Sequence, residues 1–139
     1  MSDYPRPLPV PDPTTLPYWE SVKAHAMRIQ RCNDTGKFFF YPRGVSPFTL
    51  SKNISWEPVS GSGTLYTYTI VHRHYHPGFA SEIPYVVALV ELDEGVRIMA
   101  DLVDVEPDPQ KIKIGSRVEV VYDDVTEEVT LPRFRLAGS

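Results

Sequence analysis

The sequence predicts a mainly β protein, in which an N-terminal helix and a zinc-ribbon-like segment precede a five-stranded Greek-key barrel. Three observations support this prediction: a degenerate metal-binding pattern over residues 32–51, a set of short β-prone segments after residue 62, and a hairpin turn between two of them. We place a proline-rich arm at residues 1–16, the helix and ribbon at 17–53, and the barrel domain at 54–139. A chain of 139 residues can bury a core of its own.

The proline-rich arm and the helix come first. Six prolines fall within the first 17 residues, and they favour an extended conformation over packing in a core. Two alternatives follow: a disordered tail, or an arm that lies along a partner's surface. From Pro17 to about Arg28, apolar residues recur at helical spacing. A helix this short is only marginally stable in isolation. We therefore expect it to dock on the rest of the chain or on another subunit.

Residues 32–51 keep the frame of a four-thiolate zinc site but lack three of its ligands. Cys32 begins the pattern, and cysteine at three further positions would complete C-x-x-C-G…P-R-x-x-C-P-x-C, a zinc ribbon with ligand pairs on two turns. Those positions hold Thr35, Ser46 and Thr49. Hydroxyl groups are poor zinc ligands at neutral pH, so the sequence predicts no zinc. The aromatic run at residues 38–41 either replaces the metal by burial or faces a partner.

Five β-prone segments follow the ribbon. The second and third flank Asp93-Glu94-Gly95, a hairpin turn in which glycine suits a positive φ. A longer link covers residues 104–116, between the third and fourth segments. This number and spacing of strands predict a small Greek-key barrel of the OB type. The predicted strands are Gly63–Val71, Tyr85–Leu92, Val96–Val103, Arg117–Tyr122 and Val129–Arg135.

Composition and charge restrict the class of function. The net charge of −4 disfavours nucleic acid as a partner, because binding to phosphates depends on clustered Lys and Arg. A single cysteine excludes an internal disulfide and suits a reducing cytoplasm, where we expect the protein to reside. No apolar stretch approaches the roughly 18 residues that a transmembrane helix needs, so we expect no membrane partner.

Short motifs occur in a fixed order along the chain. They are Tyr18-Trp19-Glu20, Gln30-Arg31-Cys32, the degenerate ribbon frame, residues 56–66, residues 84–95, residues 114–121 and Leu131-Pro132-Arg133-Phe134. Over about residues 14–137, this order resembles the acyl-CoA-associated OB-fold family, whose members carry an N-terminal helix and a rubredoxin-like zinc ribbon. Here the ribbon is degenerate, so the resemblance leaves an assembly role without the metal.

The resemblance implies a non-catalytic subunit of an acyl-CoA-processing complex. Members of this family accompany thiolases, hydroxymethylglutaryl-CoA synthases and steroid side-chain aldolases, and some are fused to hydratase domains. They bridge subunits and help to complete a site for CoA. We therefore expect a homodimer or hetero-oligomer whose partner is a thiolase-superfamily enzyme or an acyl-CoA hydratase. We expect no cofactor that this chain binds tightly on its own.

Contact with CoA requires cations for its phosphates and an aromatic or apolar surface for its adenine. The alternative is that the candidate aromatic residues pack the ribbon against the barrel and the candidate cations are ordinary surface charges. The candidates are the cations Lys37, Arg43 and Arg73 and the aromatic residues Phe39, Tyr41 and Phe79.

Three alternating histidines form a weaker candidate metal site. On a strand, His72, His74 and His76 would share a face, and Glu82 would supply a fourth ligand for Zn²⁺, Ni²⁺ or Cu²⁺. Pro77-Gly78 follows at once, which favours a loop with solvated histidines instead.

Two further hypotheses belong to other classes of function. The first is single-stranded nucleic-acid binding, with Tyr66, Tyr68 and Tyr85 stacking on bases. The second is a free-standing thioester hydrolase or hydratase, which ranks last because the sequence contains no recognisable catalytic set. Cys32 is better explained as a relic metal ligand than as a nucleophile, and the paired carboxylates fall at predicted turns.

Overall fold

The computed structural model describes residues 8–72, 77–79 and 83–137. Within these ranges the chain forms one α-helix and eight β-strands, which confirms the mainly β prediction. The elements are α1 (Leu16–Lys23), β1 (Arg28–Cys32), β2 (Phe38–Phe39), β3 (Ile54–Pro58), β4 (Ser62–Val71), β5 (Tyr85–Leu92), β6 (Arg97–Val103), β7 (Arg117–Asp124) and β8 (Thr130–Leu136).

The last five strands close a barrel in the order β4-β5-β6-β8-β7. Neighbouring strands are antiparallel except β6 and β8, which pair in parallel at Leu102 with Phe134 and at Val103 with Arg135. Burial alternates along the whole of β5, as expected for a strand with one face towards a barrel interior. The predicted OB barrel is confirmed, and each strand begins and ends within two residues of its predicted limits.

The ribbon forms a separate three-stranded sheet in the order β2-β1-β3. The sequence predicts that residues from 54 onwards belong to the barrel domain, but β3 pairs with β1 along its whole length, and the barrel begins at Ser62. A β-prone sequence does not identify its pairing partner, because strand propensity reports how well a residue fits a half-buried surface.

Helix α1 is shorter than predicted. It ends at Lys23 rather than near Arg28, because His25 adopts a positive φ of 58° and Arg28 begins the strand that pairs with β3. Pro17 lies in the first turn, as predicted. No helix in the described ranges has the length and apolar character needed to cross a membrane.

One hydrophobic core joins the two sheets and the helix. Val22 of α1 and Ile29 of β1 are fully buried in the same cluster as Leu65 and Phe134 of the barrel. Met27, in the connection between α1 and β1, is 1% exposed and belongs to this cluster as well. The helix therefore docks on the rest of the chain, which was one of the two alternatives for it.

Candidate functional site

Two turns of the ribbon bring the four positions of the metal frame together. In the first turn the Gly36 amide donates to the Cys32 carbonyl at 2.7 Å, and in the second the Leu50 amide donates to the Ser46 carbonyl at 2.9 Å. Gly36 and Leu50 have positive φ angles of 76° and 61°. The Cys32 thiol is buried between the turns and lies 3.9 Å from Thr49 Oγ1. The hydroxyls of the other three frame positions thus lie around the Cys32 thiol.

These groups do not fit a zinc ion. Hydrogen bonds from the hydroxyls of Ser46 and then Thr35 lower the pKa of the Cys32 thiol to about 7. Ser46 Oγ also accepts hydrogen bonds from the amides of Phe48 and Thr49, at 3.1 and 3.3 Å. One thiol and three hydroxyls lack the charge and softness of four thiolates. In the part of the chain that the structure describes, no three His, Cys, Asp or Glu side chains group as metal ligands.

Hydrogen bonds to Asp34 join the two turns of the ribbon. Its carboxylate accepts from Asn53 Nδ2 and from Thr49 Oγ1, both at 3.0 Å. The bonds from Asn53, Thr49 and Ser51 hold the pKa of Asp34 below its usual range. A charged acceptor makes stronger hydrogen bonds than a neutral one. The Asp34 carboxylate therefore links the two turns that a metal ion joins in a zinc ribbon.

Burial separates the ribbon candidates for CoA contact. Phe39 is 5% exposed and packs edge-on against Phe48, with ring centroids 6.3 Å apart. This burial removes Phe39 from the predicted contacts. Lys37 is exposed, and its ammonium lies 5.5 Å from the centre of the Phe48 ring. Arg43 is exposed as well, while its backbone is fixed by two hydrogen bonds to the side chain of Gln30.

Tyr41, the last ribbon candidate for CoA contact, is 61% exposed. All the remaining candidate residues come after strand β4 in the sequence. His72 is exposed at the end of this strand. The other predicted residues lie outside the described part, so the histidine metal site and the loop contacts with CoA stay predictions. They are Arg73, His74, His76, Glu82 and the side chain of Phe79.

A groove of about 390 Å³ runs between the helix and ribbon on one side and the barrel on the other, above the core that joins them. Packed aromatic rings form one wall: Tyr18 lies 5.1 Å from Trp19 and 5.2 Å from Phe40, and Phe40 lies 4.5 Å from Tyr41. The barrel wall is apolar and consists of Ile98, Met99, Ala100, Leu131 and Pro132. Sequence reasoning missed this groove, although two adjacent aromatic residues on a short helix are a signal of surface that needs a cover.

Arg133 closes one end of the groove. Its side chain is 11% exposed, with Nη1 at 2.6 Å from Asp101 Oδ2 and Nε at 2.7 Å from Asp123 Oδ2. Asp123 and Asp124, one of the carboxylate pairs expected at turns, both belong to β7. A second cavity, of about 380 Å³, shares Asp101 and Arg133 with the groove.

His25 fastens the end of the helix to the barrel. Its ring stacks on Tyr122 at 5.0 Å with an interplanar angle of 12°, and its Nε2 lies 2.9 Å from Asp124 Oδ1. Thr130 donates to the same carboxylate oxygen. The Tyr122 hydroxyl in turn accepts a hydrogen bond from the Met27 amide at 2.9 Å. The contacts with His25, and next Thr130, hold the pKa of Asp124 below its usual value.

The depressed pKa of Asp124 predicts a pH-dependent contribution to stability. This contribution is present above the unfolded-state pKa, about 4, and is lost as the pH falls through the lower folded-state value. We expect Asp124→Asn to melt at a lower temperature than the wild type at pH 6, with a difference that closes below about pH 4. Thermal unfolding between pH 7 and 2 measures this. Glu127→Gln, at an exposed position, is the control, and a difference independent of pH would contradict the assignment.

Comparison with known proteins gives concordant matches. Residues 56–123 match the family model described as ChsH2, C-terminal OB-fold domain. The chain is 35% identical over 112 residues to a DUF35 domain-containing scaffold protein of Methanocaldococcus jannaschii, covering 79% of this chain and 77% of that protein. It is 38% identical over 134 residues to a probable enoyl-CoA hydratase alpha subunit of Thermomonospora curvata. That match covers 95% of this chain but spans 40% of the relative's length.

Two solved structures share the fold. The Ltp2-ChsH2(DUF35) aldolase contains a chain that superposes with a TM-score of 0.82 at 35% identity, covering 94% of this chain and 99% of that one. A DUF35-family protein of Sulfolobus solfataricus superposes with a TM-score of 0.62 at 14% identity, covering 89% of this chain and 85% of that one. The second likeness concerns the fold alone.

Proposed function

Because the chain belongs to the DUF35 family of acyl-CoA-associated OB-fold proteins, we propose that it is a non-catalytic accessory subunit of an acyl-CoA enzyme. It docks on a thiolase-superfamily enzyme and helps to shape the acyl-CoA site there. The observation that carries this proposal is the match to 99% of the DUF35 chain in the Ltp2-ChsH2(DUF35) aldolase. Relatives named as scaffold proteins support a role without catalysis.

The exposed apolar residues of the ribbon support docking through that module. Leu50 is 77% exposed, Tyr41 61% and Phe48 47%, and we call these three residues the ribbon face. Leu50 also has a φ of 61°, which is unfavourable for a residue with a Cβ atom. Neither burial nor backbone preference explains leucine at this position. A partner that covers Leu50 would explain the leucine, because exposed apolar clusters mark interaction sites.

Leu50→Asp tests the proposed docking. We expect this variant to recover the partner enzyme at least tenfold less efficiently, because a buried apolar anchor typically contributes about 2 kcal/mol to an interface. The measurement is affinity capture by the tagged chain from extract of its source cells, with stoichiometry read by mass spectrometry. Ile114→Asp is the matched control, since Ile114 is 64% exposed but lies on the link between β6 and β7. Equal recovery by both variants would contradict docking through the ribbon face.

A second candidate partner is an acyl-CoA hydratase. The match to the hydratase alpha subunit of T. curvata extends over 95% of this chain, so the whole chain corresponds to one part of that longer protein. The identity of the captured enzyme decides between a thiolase-like and a hydratase-like partner. Recovery of neither, from cells grown on several carbon sources, would contradict the accessory-subunit proposal.

The other properties that we propose rest on chemistry rather than on the relatives. The chain holds no zinc, because hydroxyl groups occupy three of the four ligand positions. It holds no tightly bound cofactor of its own and acts in the cytoplasm, where the lone Cys32 stays reduced.

Nucleic-acid binding has less support than an accessory role. The Arg97 guanidinium lies 3.9 Å above the centre of the Tyr66 ring, and the Tyr68 hydroxyl donates to the Ile112 carbonyl at 3.2 Å. These aromatic residues therefore already have partners within the chain. The net charge of −4 also opposes a phosphate backbone.

A further inference from the structure

The ribbon and the barrel carry net charges of opposite sign. Residues 28–58, which hold the three ribbon strands and both turns, contain five Lys or Arg and two Asp or Glu, for a net charge of +3. Residues 59–139 contain seven Lys or Arg and thirteen Asp or Glu, for a net charge of −6. The overall value of −4 therefore combines a positive module with a negative one.

The barrel pairs its cations within the chain. Of the six Lys and Arg side chains in its described part, five have a nitrogen within 4.0 Å of a carboxylate oxygen, and Lys113 is the exception. The pairs are Arg97 with Glu91, Lys111 with Glu106, Arg117 with Asp93, Arg133 with Asp101 and Asp123, and Arg135 with Glu119. Almost every described barrel cation thus has its counter-charge beside it.

The ribbon, in contrast, leaves its cations unpaired. Among the described residues, no carboxylate lies within ion-pair distance of Arg28, Arg31, Lys37, Arg43 or Lys52. The two ribbon carboxylates are bound by uncharged donors instead. Asp34 accepts hydrogen bonds from Asn53 and Thr49, and Glu57 accepts one from the Ser55 hydroxyl at 2.9 Å. The positive charge of the ribbon therefore has no counter-charge in the part of the chain that the structure describes.

Three of these cations adjoin the ribbon face. The Lys37 ammonium lies 5.5 Å from the centre of the Phe48 ring. Arg43 and Lys52 each follow a residue of that face by two positions in the chain. All three side chains are exposed. An apolar centre with a polar, hydrated rim is the usual anatomy of a protein–protein interface, and here the rim is positive.

The surface that complements the ribbon is an apolar pocket rimmed by carboxylates on a folded protein. An anionic membrane would also attract the cations, but it presents its charge over an extended plane and would repel the barrel, with its net charge of −6. A protein can present carboxylates to the ribbon alone. The opposed charges of the two modules also give the chain a dipole, which turns the ribbon rather than the barrel towards a negative surface.

We propose that the ribbon docks on an apolar pocket of the partner enzyme whose rim is acidic, and that carboxylates of this rim pair with Lys37, Arg43 and Lys52. That the partner is an acyl-CoA enzyme rests on the proposed function. The sign of the charge on its docking surface rests on the ribbon. The rim charges act on the rate of association, because they steer the approach from a distance, whereas the apolar centre acts on the rate of dissociation.

The test uses the enzyme that the tagged full chain captures, after it has been identified by mass spectrometry and purified. Surface plasmon resonance gives its association and dissociation rate constants with the immobilised chain. The salt concentrations are about 0.1 M and about 1 M NaCl, between which the Debye length falls from about 10 Å to about 3 Å. We expect the association rate constant of the wild type to fall about tenfold at the higher concentration.

Reversing the rim charges should have the same effect as salt. The triple variant Lys37→Glu, Arg43→Glu, Lys52→Glu should associate about tenfold more slowly than the wild type at low salt. At high salt the two rates should converge, because the charges are then screened. Leu50→Asp should instead raise the dissociation rate constant, so the two kinds of variant separate the rim from the apolar centre.

Single substitutions provide the matched control. Lys52→Glu and Lys113→Glu each replace an exposed lysine that has no ion pair among the described residues, and they change the net charge equally. Lys113 lies on the link between β6 and β7, away from the ribbon in the fold. We expect only Lys52→Glu to slow association by more than about twofold.

Association that is insensitive both to salt and to the triple variant would overturn the proposal and leave the accessory-subunit proposal intact, since an enzyme would have docked without the rim. An equal effect of Lys52→Glu and Lys113→Glu would also overturn it, because only the net charge would then matter. So would cosedimentation of the chain with vesicles of phosphatidylcholine and phosphatidylglycerol in equal parts, if the triple variant abolished it, since the surface would then belong to a membrane. Capture of no enzyme at low salt would contradict the proposed function itself.

Discussion

The combined substitutions Thr35→Cys, Ser46→Cys and Thr49→Cys should give a chain that binds one zinc ion and melts at a clearly higher temperature with zinc. The turns that carry these positions already have the hydrogen bonds and positive φ angles of a ribbon, and the side chains already surround Cys32. Metal binding therefore requires little reorganisation. With free zinc 100-fold above its dissociation constant, the folded state gains about 2.7 kcal/mol, or roughly 10 °C in melting temperature.

Thermal unfolding with zinc and with a chelator measures this gain, and the absorption spectrum of the Co²⁺ form reports tetrahedral thiolate coordination. Two controls test whether zinc binding depends on all four cysteines at these positions. The wild type should show no zinc-dependent shift, and adding Cys32→Ser to the triple variant should weaken metal binding. A triple variant whose melting temperature ignores zinc would mean that the four side chains do not point to one centre.

Arg133→Ala should lower the free energy of unfolding by about 3 kcal/mol. The guanidinium binds two carboxylates and is largely buried, so its removal takes a shared positive charge away from both Asp101 and Asp123. Arg135→Ala is the matched control in the same strand. Arg135 is half exposed and pairs with Glu119 at 2.7 Å, and such surface pairs contribute less than about 1 kcal/mol. Urea denaturation of both variants gives the comparison.

A charge-neutral variant separates electrostatics from packing. Arg133→Met combined with Asp101→Asn and Asp123→Asn should recover part of the lost stability, because neither position then carries a negative charge beside the missing guanidinium. If Arg133→Ala costs no more than Arg135→Ala, the ion pairs at the end of the groove do not stabilise the barrel.

The barrel was predictable because its signals are local. Turn residues such as Gly95 mark where strands end, and the alternation of Val and Leu marks which face is buried. These signals gave all five strands and their order along the chain. The end of α1 was not predictable in this way, since β1 forms by pairing with β2 and with β3, and β3 begins 26 residues further along than β1. Tertiary pairing decides such a segment.

The groove depended on juxtapositions that no local pattern contains. Its walls come from α1, the residues that follow β2, and strands β6 and β8, which are distant in sequence. The aromatic residues of the ribbon were recognised as candidates, but the sequence did not reveal that Phe39 is buried while Tyr41 is exposed. Likewise, Asp123 and Arg133 are each unremarkable in sequence, and only the pairing of β7 with β8 brings them together.

The joint at His25 determines how a partner would hold this protein. The His25 ring stacks on Tyr122, the Met27 amide donates a hydrogen bond to the Tyr122 hydroxyl, and the helix, ribbon and barrel share one core. These contacts leave little freedom for the three parts to move relative to one another. An enzyme that binds only the ribbon therefore also fixes the orientation of the barrel, even without contacting the barrel. The entropy lost on association is that of one rigid body rather than of two linked ones, so a small contact area suffices to aim the whole molecule.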